Sequence, residues 1–336
     1  MRALVVTNMW PTDARPALGR FVHDQVEALR RIEGVEVEVF AFAPGLRSYP
    51  RAARELRRRY RGEHFDVIHA HFGLTAWPAL ALRGAPHVVT FHGTDLAHPR
   101  SGRLSRAALP FVDLAATVSA SLARERLAGA GTRRRVAVLP CGVDLERFRP
   151  LPRAEARARL GLDPDAPCLL FPADPGRAEK RFDRARAVAG DVPLLTLGDV
   201  HPDEVPLWVN AANAVLVPSE REGFGLAVLE ALACDVPVLA TSAGIAPLAL
   251  EGIAGAHCSA FDEQAWRSAL APHLAVADPR VAGRARAALF SAERMAERVL
   301  VAWRAIAAES GETGRAHGYT RRRGAVRAGN SASPLR

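Results

Sequence analysis

The sequence lacks the features by which membrane proteins and secreted proteins are usually known. No apolar run approaches the roughly 20 residues of a membrane-spanning helix. The N-terminus, MRALVVTNMW, enters a strand-like segment directly, without the apolar stretch and cleavage site of a signal peptide. The four cysteines include no CxxC pair, which argues against a disulfide framework and against a metal site. We therefore expect a cytoplasmic protein with buried free thiols.

Two common nucleotide-binding motifs are also missing. No G-x-G-x-x-G follows the first strand-like segment, so the usual dinucleotide fingerprint is absent. No G-x-x-x-x-G-K-[ST] occurs either, which excludes a P-loop enzyme. The single D-x-D, at residues 163–165, is interpreted as a turn rather than a metal clamp.

The positive charge of the chain is unevenly distributed. Six arginines and no acid lie in residues 315–336, and without them the formal net charge falls from +9 to +3. This segment is also rich in Gly, Ser and Ala, so we expect residues 309–336 to form a disordered basic tail. A nucleic-acid partner would depend on this tail alone, and we expect none.

A second basic cluster, RAARELRRRYRG, occupies residues 51–62 on a predicted helix. A solvated helix face is the simpler interpretation. The alternative is a peripheral contact with an anionic membrane surface, at the inner face of the membrane, or with an acidic acceptor.

Short β-branched segments alternate with helical stretches along most of the chain. The predicted strands are residues 3–7, 35–42, 65–71, 87–91, 114–119, 135–140, 168–173, 193–199, 214–219 and 237–241. The alternation stops at GVDLERFRPLP, residues 142–152, and then restarts. This pattern predicts an α/β protein of two doubly wound, Rossmann-like domains that face each other across a cleft. We place them at residues 1–150 and 151–308, and expect ligands at the carboxyl ends of the strands.

The segment SEREGFGLAVLEALACDVPVLAT, which begins at residue 219, carries two carboxylates in unusual places. Gly223 and Gly225 allow a ligand to approach the backbone, and the helix that starts near Leu226 offers free N–H groups to a phosphate. Glu230 interrupts the apolar run of that helix, and burial of an unpaired ion costs several kcal/mol or more. A ribose diol would supply the missing donors. A structural salt bridge or an exposed helix face is the alternative.

Two further loops follow predicted strands. Arg177 and Lys180 lie three residues apart at a predicted helix start, where a pyrophosphate would offset the opposing helix dipole; a solvated basic face is the alternative. TFHGTDL, residues 90–96, brings together His92, a glycine and Asp95 at a strand end. His71 is a weaker candidate of the same kind, and no third metal ligand with fitting spacing accompanies it.

These motifs, taken in order, resemble glycosyltransferase family four, the retaining glycosyltransferases with the GT-B fold. EGFGLAVLE has the paired-glutamate spacing of that family, PCGVDLERFRP is similar to its interdomain element, and TFHGTDL is similar to its His-Gly loop. NMWPTDARPALGRFVHDQVEAL and FPADPGRAEKRFDRA resemble the subgroup around teichuronic-acid-type glycosyltransferases. The resemblance covers roughly residues 1–308.

The resemblance implies roles for individual residues. Glu222 would contact sugar hydroxyls and Glu230 the ribose, Arg177 and Lys180 would stabilise the diphosphate, and His92 would contact the donor sugar. Besides these, the predicted donor-binding residues are Gly19, Gly223, Phe224, Gly225 and Leu226, and Asp95 and His71 are acceptor-side candidates. The implied substrates are a nucleotide sugar and a cell-surface glycan or lipid-linked acceptor, with no metal and no cofactor.

The sequence also departs from the family pattern. Asp235 stands where glycine is common, and SAGIAPLAL lacks an acid that often follows the Gly pair. A nucleotide-sugar epimerase on a similar scaffold and a non-catalytic nucleotide-sugar sensor remain as alternative functions.

Overall fold

The computed structural model describes residues 1–127, 136–198 and 200–327, and of residues 311–327 it describes the backbone only. Two parallel sheets form the framework, as the alternating pattern predicts. The strands are β1 (Arg2–Thr7), β2 (Glu36–Ala41), β3 (Val67–His71), β4 (His87–Phe91), β5 (Leu114–Thr117), β6 (Val136–Val138), β7 (Leu169–Phe171), β8 (Leu194–Thr196), β9 (Ala214–Val217), β10 (Val238–Ala240) and β11 (His257–Cys258).

Helices separate the strands and cover both faces of each sheet. They are α1 (Arg20–Arg30), α2 (Ser48–Arg59), α3 (Ala76–Ala79), α4 (Thr94–Ala97), α5 (Pro99–Ala107), α6 (Ala120–Leu127), α7 (Arg153–Leu160), α8 (Phe182–Ala189), α9 (Val205–Ala211), α10 (Leu226–Ala233), α11 (Ala246–Leu250), α12 (Glu263–Leu274), α13 (Arg284–Ala287) and α14 (Ala292–Arg327). No helix in this part of the chain is long and apolar enough to span a membrane.

The strand orders are those of doubly wound domains. The first sheet runs β2-β1-β3-β4-β5-β6 and the second runs β8-β7-β9-β10-β11, with parallel pairing throughout. In each sheet the order reverses next to the first strand, which places a crevice at the carboxyl ends of the strands. The ten predicted strands are all present, and among the residues that the structure describes only the two-residue strand β11 lies outside the prediction.

The final helix does not belong to the domain to which the sequence assigns it. Met295, Val299 and Trp303 on α14 are buried together with Val5 and Val26 of the first domain. The chain therefore returns to the first domain after the second is complete, and the boundary near residue 308 is wrong for α14. The helix continues through residues 309–327, where we expected a disordered tail, whereas residues 328–336 lie outside the described residues.

The structure shows why Asp235 can stand where glycine is common in the family. Its φ of 56° lies in the left-handed region, where glycine is favoured and Asp is among the residues that tolerate it. Its carboxylate accepts the main-chain N–H groups of Gly283 at 3.0 Å and Arg284 at 2.7 Å. These bonds cap the start of α13 and compensate for the strained turn after α10.

We expect replacement of Trp303 by Ala to destabilise the first domain. The indole is fully buried against the first sheet, and loss of a buried Trp costs about 3–5 kcal/mol. Urea unfolding of W303A, followed by probes in each domain, measures the effect. V301A on the same helix is the control, since Val301 is 67% exposed and its loss should change little. Equal stability of the two variants would contradict the assignment of α14 to the first domain.

Candidate active site

A partly buried ion pair lies in the second domain at the mouth of the crevice. Nζ of Lys180 is 2.7 Å from both carboxylate oxygens of Glu222, and their side chains are 18% and 8% exposed. Ser219, at the end of β9, donates its hydroxyl to the same carboxylate at 2.7 Å. Burial of two charges is costly and is tolerated here because each has good partners. Lys180 is therefore less exposed than a solvated basic face would be.

Arg177 and Lys180 lie in a 3-10 turn before α8 rather than at the start of an α-helix. The guanidinium of Arg177 is 47% exposed and pairs with Glu179 at 2.7 Å. Both cations nevertheless line one small cavity between the two domains. Its other charged walls are Glu125, Arg126, Glu179, Arg221 and Glu222, and Gly93 and Gly223 close it from opposite domains. Four cations and three carboxylates thus leave one positive charge for an anion.

The helix start next to this cavity has the form expected of a phosphate site. Gly225 has a φ of 91° and precedes α10, and within the described chain no acceptor pairs with the N–H groups of Leu226 and Ala227. These N–H groups are the positive end of the helix dipole. Phe224 is buried and its carbonyl accepts from Ile245, which fixes the loop.

The two domains touch at a pair of glycines. A Cβ on Gly223 would lie 1.9 Å from the carbonyl oxygen of His92, and one on Gly93 would lie 2.9 Å from the Cα of Gly223. Ser119 at the end of β5 donates to the carbonyl of Gly223 at 2.9 Å. Only glycines allow this backbone approach, so the cleft is narrow at this point.

Glu230 is partly buried in the cleft, on the side that faces the first domain. Burial raises the pKa of its carboxyl to about 7, while Arg147 lowers that pKa and Asp24 raises it. Within the described chain no donor lies within hydrogen-bond or ion-pair distance of this carboxylate. Neither the structural salt bridge nor the fully exposed face applies, and the carboxylate remains available for a ligand.

The residues opposite Glu230 are ones that sequence reasoning missed. Arg147 of the interdomain segment donates to Asp24 at 2.9 Å, and Arg20 donates to the same carboxylate at 2.8 Å. Burial alone would raise the pKa of Asp24, but the two guanidinium groups hold it below its usual range. The sequence signals for them were Arg147 within PCGVDLERFRP and the i, i+4 spacing of Arg20 and Asp24 on α1.

Gly19 stands at the start of α1, beside this network. Its φ is 67°, and a Cβ would lie 2.2 Å from the carbonyl oxygen of Met9. The glycine lets the loop after β1 fold back tightly and places Arg20 and Asp24 toward the cleft.

His92 follows β4 and is partly buried against two aromatic rings. The ring centroids of Phe21 and Phe72 are 4.9 Å and 4.7 Å from its own. Its Nε2 is 3.0 Å from Nδ1 of His71, whose Nε2 is 3.3 Å from the amide nitrogen of Gln25. Burial lowers the pKa of His92 well below its ordinary value and that of His71 to about 3, so both rings are neutral.

The two acceptor-side candidates have other roles. His71 is fully buried behind His92 and cannot touch an acceptor. Asp95 is also buried, and its oxygens accept N–H groups from Gly73 at 3.0 Å, Gly93 at 2.9 Å and His92 at 3.1 Å. Burial raises the pKa of Asp95, although these three bonds lower it. Asp95 therefore holds the His-Gly loop in place, and the acceptor assignment of both residues is corrected.

The sequence of the chain is similar to those of known glycosyltransferases. The model of Glycosyltransferase Family 4 matches residues 18–147, and that of Glycosyl transferases group 1 matches residues 165–275. A D-inositol 3-phosphate glycosyltransferase of Actinosynnema mirum is 31% identical over 73% of this chain and 73% of its own. The enzyme of the same name from Thermobispora bispora is 30% identical over 75% and 71%.

Solved structures show the same fold at low identity. HepE of Anabaena, solved with UDP and glucose, aligns with a TM-score of 0.69 at 16% identity over 91% of this chain and 100% of its own. The catalytic domain of starch synthase IV from Arabidopsis thaliana, solved with ADP and acarbose, gives 0.70 at 14% identity over 91% and 99%. The two-domain GT-B fold is confirmed. The narrower resemblance to teichuronic-acid-type enzymes stays a prediction.

The raised pKa of Glu230 predicts a pH-dependent cost in stability. The folded carboxyl titrates near 7 and the unfolded one near 4.5, so the folded state holds an extra proton between these values. The free energy of unfolding should therefore fall across this window by about 1–3 kcal/mol relative to E230Q, which stays neutral. Urea unfolding at pH 4.5 and pH 8 measures the difference. E220Q, at an exposed glutamate nearby, should follow the wild type, and a wild-type curve parallel to that of E230Q would contradict the burial of Glu230.

Proposed function

Because the chain belongs to glycosyltransferase family 4, we propose that it is a retaining glycosyltransferase that uses a nucleoside diphosphate sugar. The acceptor we propose is a cell-surface glycan or a lipid-linked acceptor. The observation that carries the proposal is the arrangement around α10, where a partnerless carboxylate, free N–H groups and the Lys180–Glu222 pair share one cleft.

Each part of this arrangement suits one part of the donor. The ribose diol would donate to Glu230 and relieve its desolvation. The N–H groups of Leu226 and Ala227, with Arg177 and Lys180, would hold the diphosphate. Glu222 would accept from sugar hydroxyls, and His92 would contact the sugar from the other domain. The structural neighbour HepE, solved with UDP and glucose, supports a donor of this class.

The chemistry follows from charge. As the bond between the sugar and the diphosphate breaks, negative charge develops on the leaving oxygen, and preorganised cations and N–H donors stabilise it. Glu222 is already bonded to Lys180 and Ser219, so it suits hydroxyl binding better than attack on carbon. We therefore favour attack by the acceptor hydroxyl on the face that the diphosphate leaves. The new bond joins the acceptor oxygen to the sugar, and a phosphate oxygen takes the acceptor proton.

In this proposal Arg177 and Lys180 stabilise the negative charge of the diphosphate, which a metal ion does in other enzymes, and no cofactor is needed. Among the described residues, no cluster of three His, Cys, Asp or Glu side chains is placed to hold a metal ion. Close approach of the Gly93 and Gly223 loops would exclude water from the sugar and limit hydrolysis.

The acceptor proposal is supported by a surface of the first domain. Exposed arginines on α2 include Arg54 and Arg58, and the C-terminal end of α2 and residues 82–85 line a groove. Residues 82–85 also border Trp77 and Phe111, which are 39% and 60% exposed and lie 6.0 Å apart between ring centroids. Positive charge beside exposed aromatic rings suits an anionic lipid surface.

The donor assignment predicts that nucleoside diphosphates will stabilise the protein. At about a hundred times Kd, the matching nucleotide should raise Tm by about 5 °C, and E230A should lose most of this shift because the ribose loses its acceptor. With nucleotide sugars of the matching base as donors, K180A should lower turnover about 10²–10³-fold. A thermal-shift panel and a transfer assay measure the two effects, with inositol 3-phosphate among the acceptors because the relatives are named for it.

Two variants serve as controls for these measurements. E220A removes an exposed carboxylate close to the site, and R181A removes a cation that already pairs with Asp183. Both should behave as the wild type. Unchanged affinity of E230A for every nucleoside diphosphate would falsify the ribose assignment, and isomerisation of the donor without transfer would favour an epimerase.

The membrane contact predicts binding to anionic vesicles. Reversal of Arg54 and Arg58 to Glu should weaken binding to phosphatidylglycerol-containing vesicles about tenfold or more, since each basic residue near such a surface is worth about 1 kcal/mol. Co-sedimentation measures it. R186E, at an exposed arginine of the second domain, should bind normally, and equal binding by all three proteins would rule out this surface.

A further inference from the structure

Three histidines of the first domain form a row behind the cleft. The ring centroids of His69 and His71 are 4.5 Å apart and those of His71 and His92 are 5.3 Å apart, with an interplanar angle of 27° in both pairs. His69 and His71 are fully buried, and apolar side chains would fill these strand positions at lower cost. We propose that His71 is a positioning residue that fixes the tautomer of His92, a proposal that rests on the proposed function for its use in catalysis.

The direction of the hydrogen bonds within the row follows from the N–H donors of other residues that bond its histidines. The amide nitrogen of Gln25, 3.3 Å from Nε2 of His71, can only donate. In a neutral His71 the hydrogen then lies on Nδ1, which donates to Nε2 of His92 at 3.0 Å. His92, also neutral, must therefore carry its own hydrogen on Nδ1.

The hydrogen bonds that run from Gln25 through His71 to His92 form a relay, and a separate bond keeps His69 out of it. The indole N–H of Trp303 donates to Nδ1 of His69 at 3.1 Å, so the hydrogen of His69 lies on Nε2 and points to the hydroxyl of Thr90 at 2.8 Å. His69 thus stacks on His71 without exchanging a hydrogen bond with it. The polarity of the relay depends on Gln25 and His71 alone.

The tautomer of His92 decides which kind of atom this residue presents to a ligand. Its Nδ1 bonds no described residue, so an N–H donor is left for a ligand. Such a donor suits an oxygen of the sugar or of the leaving diphosphate, whereas the other tautomer would present a lone pair to the same oxygen. The hydrogen bond to His71 and the contacts with Phe21 and Phe72 hold the His92 ring in this orientation.

Nitrogen-15 NMR of the imidazole groups tests the proposal directly. In the wild type, His92 should show a protonated Nδ1 and an unprotonated Nε2. H71L removes the donor and should shift His92 toward the other tautomer. H71N places an amide donor close to the position of the lost Nδ1 and should restore the wild-type pattern. H87L removes another buried imidazole from the same sheet, at the opposite strand end, and should leave His92 unchanged.

Kinetics then show whether transfer depends on the relay. H71L should lower kcat about tenfold to a hundredfold, the usual loss when a partner behind a site residue is removed, while KM for the donor changes little and H71N recovers most of kcat. If H71L does not fold, Gln25→Met removes the amide donor with little change in shape and should have the same spectral effect. A wild-type tautomer of His92 in these variants, or a kcat of H71N as low as that of H71L, would overturn the proposal. If no donor supports transfer by the wild type, the proposed function fails, whereas the spectra still decide the tautomer.

Discussion

The pairing of Lys180 with Glu222 is the interaction around which the cleft is organised. Both side chains are largely removed from water, so each needs the other, and Ser219 adds a third partner at the end of β9. A carboxylate held in this way is a fixed acceptor, and an ammonium group beside it remains a fixed cation for a phosphate. Glu230 is different, because its charge has no such partner and its pKa is raised to about 7. Glu222 thus finds its hydrogen-bond partners within the protein, whereas Glu230 depends on a ligand for its own.

Backbone contact between the two domains narrows the cleft beside these charges. The carbonyl of His92 lies so close to Gly223 that no side chain fits between them, and Ser119 bonds across the same gap. The loop that carries His92 therefore meets the second domain through main-chain packing rather than through a flexible side chain. Asp95 supports the contact from behind by accepting three N–H groups, including that of His92 itself. Asp95, an acceptor-side candidate in the sequence, holds the backbone here, because main-chain N–H groups occupy its oxygens.

Local pattern predicted the framework well because parallel strands are continuous β-branched runs and their carboxyl ends meet at one edge. Glu222 and Glu230 could be chosen from the sequence because a carboxylate conflicts with its apolar neighbours. Arg147 and Asp24 were missed, since 123 residues separate them along the chain and each lies among other polar residues rather than in an apolar run. The same limit explains α14, whose apolar stripe predicts a helix without naming the sheet that buries it. His71 was recognised but misplaced, because a strand alternates its side chains between faces and the sequence does not say which face meets the cleft.

The return of α14 to the first domain has a consequence for the site as well as for stability. Trp303 packs in the core beneath β1 and β3 and also fixes the hydrogen of His69. His69 stacks on His71, so Trp303 of α14 supports the row of His69, His71 and His92 from the side away from the cleft. The helix that supports the row is therefore reached only after the chain has passed through both domains. The first-domain half of the cleft thus depends for its packing on a segment that follows the second domain in the sequence.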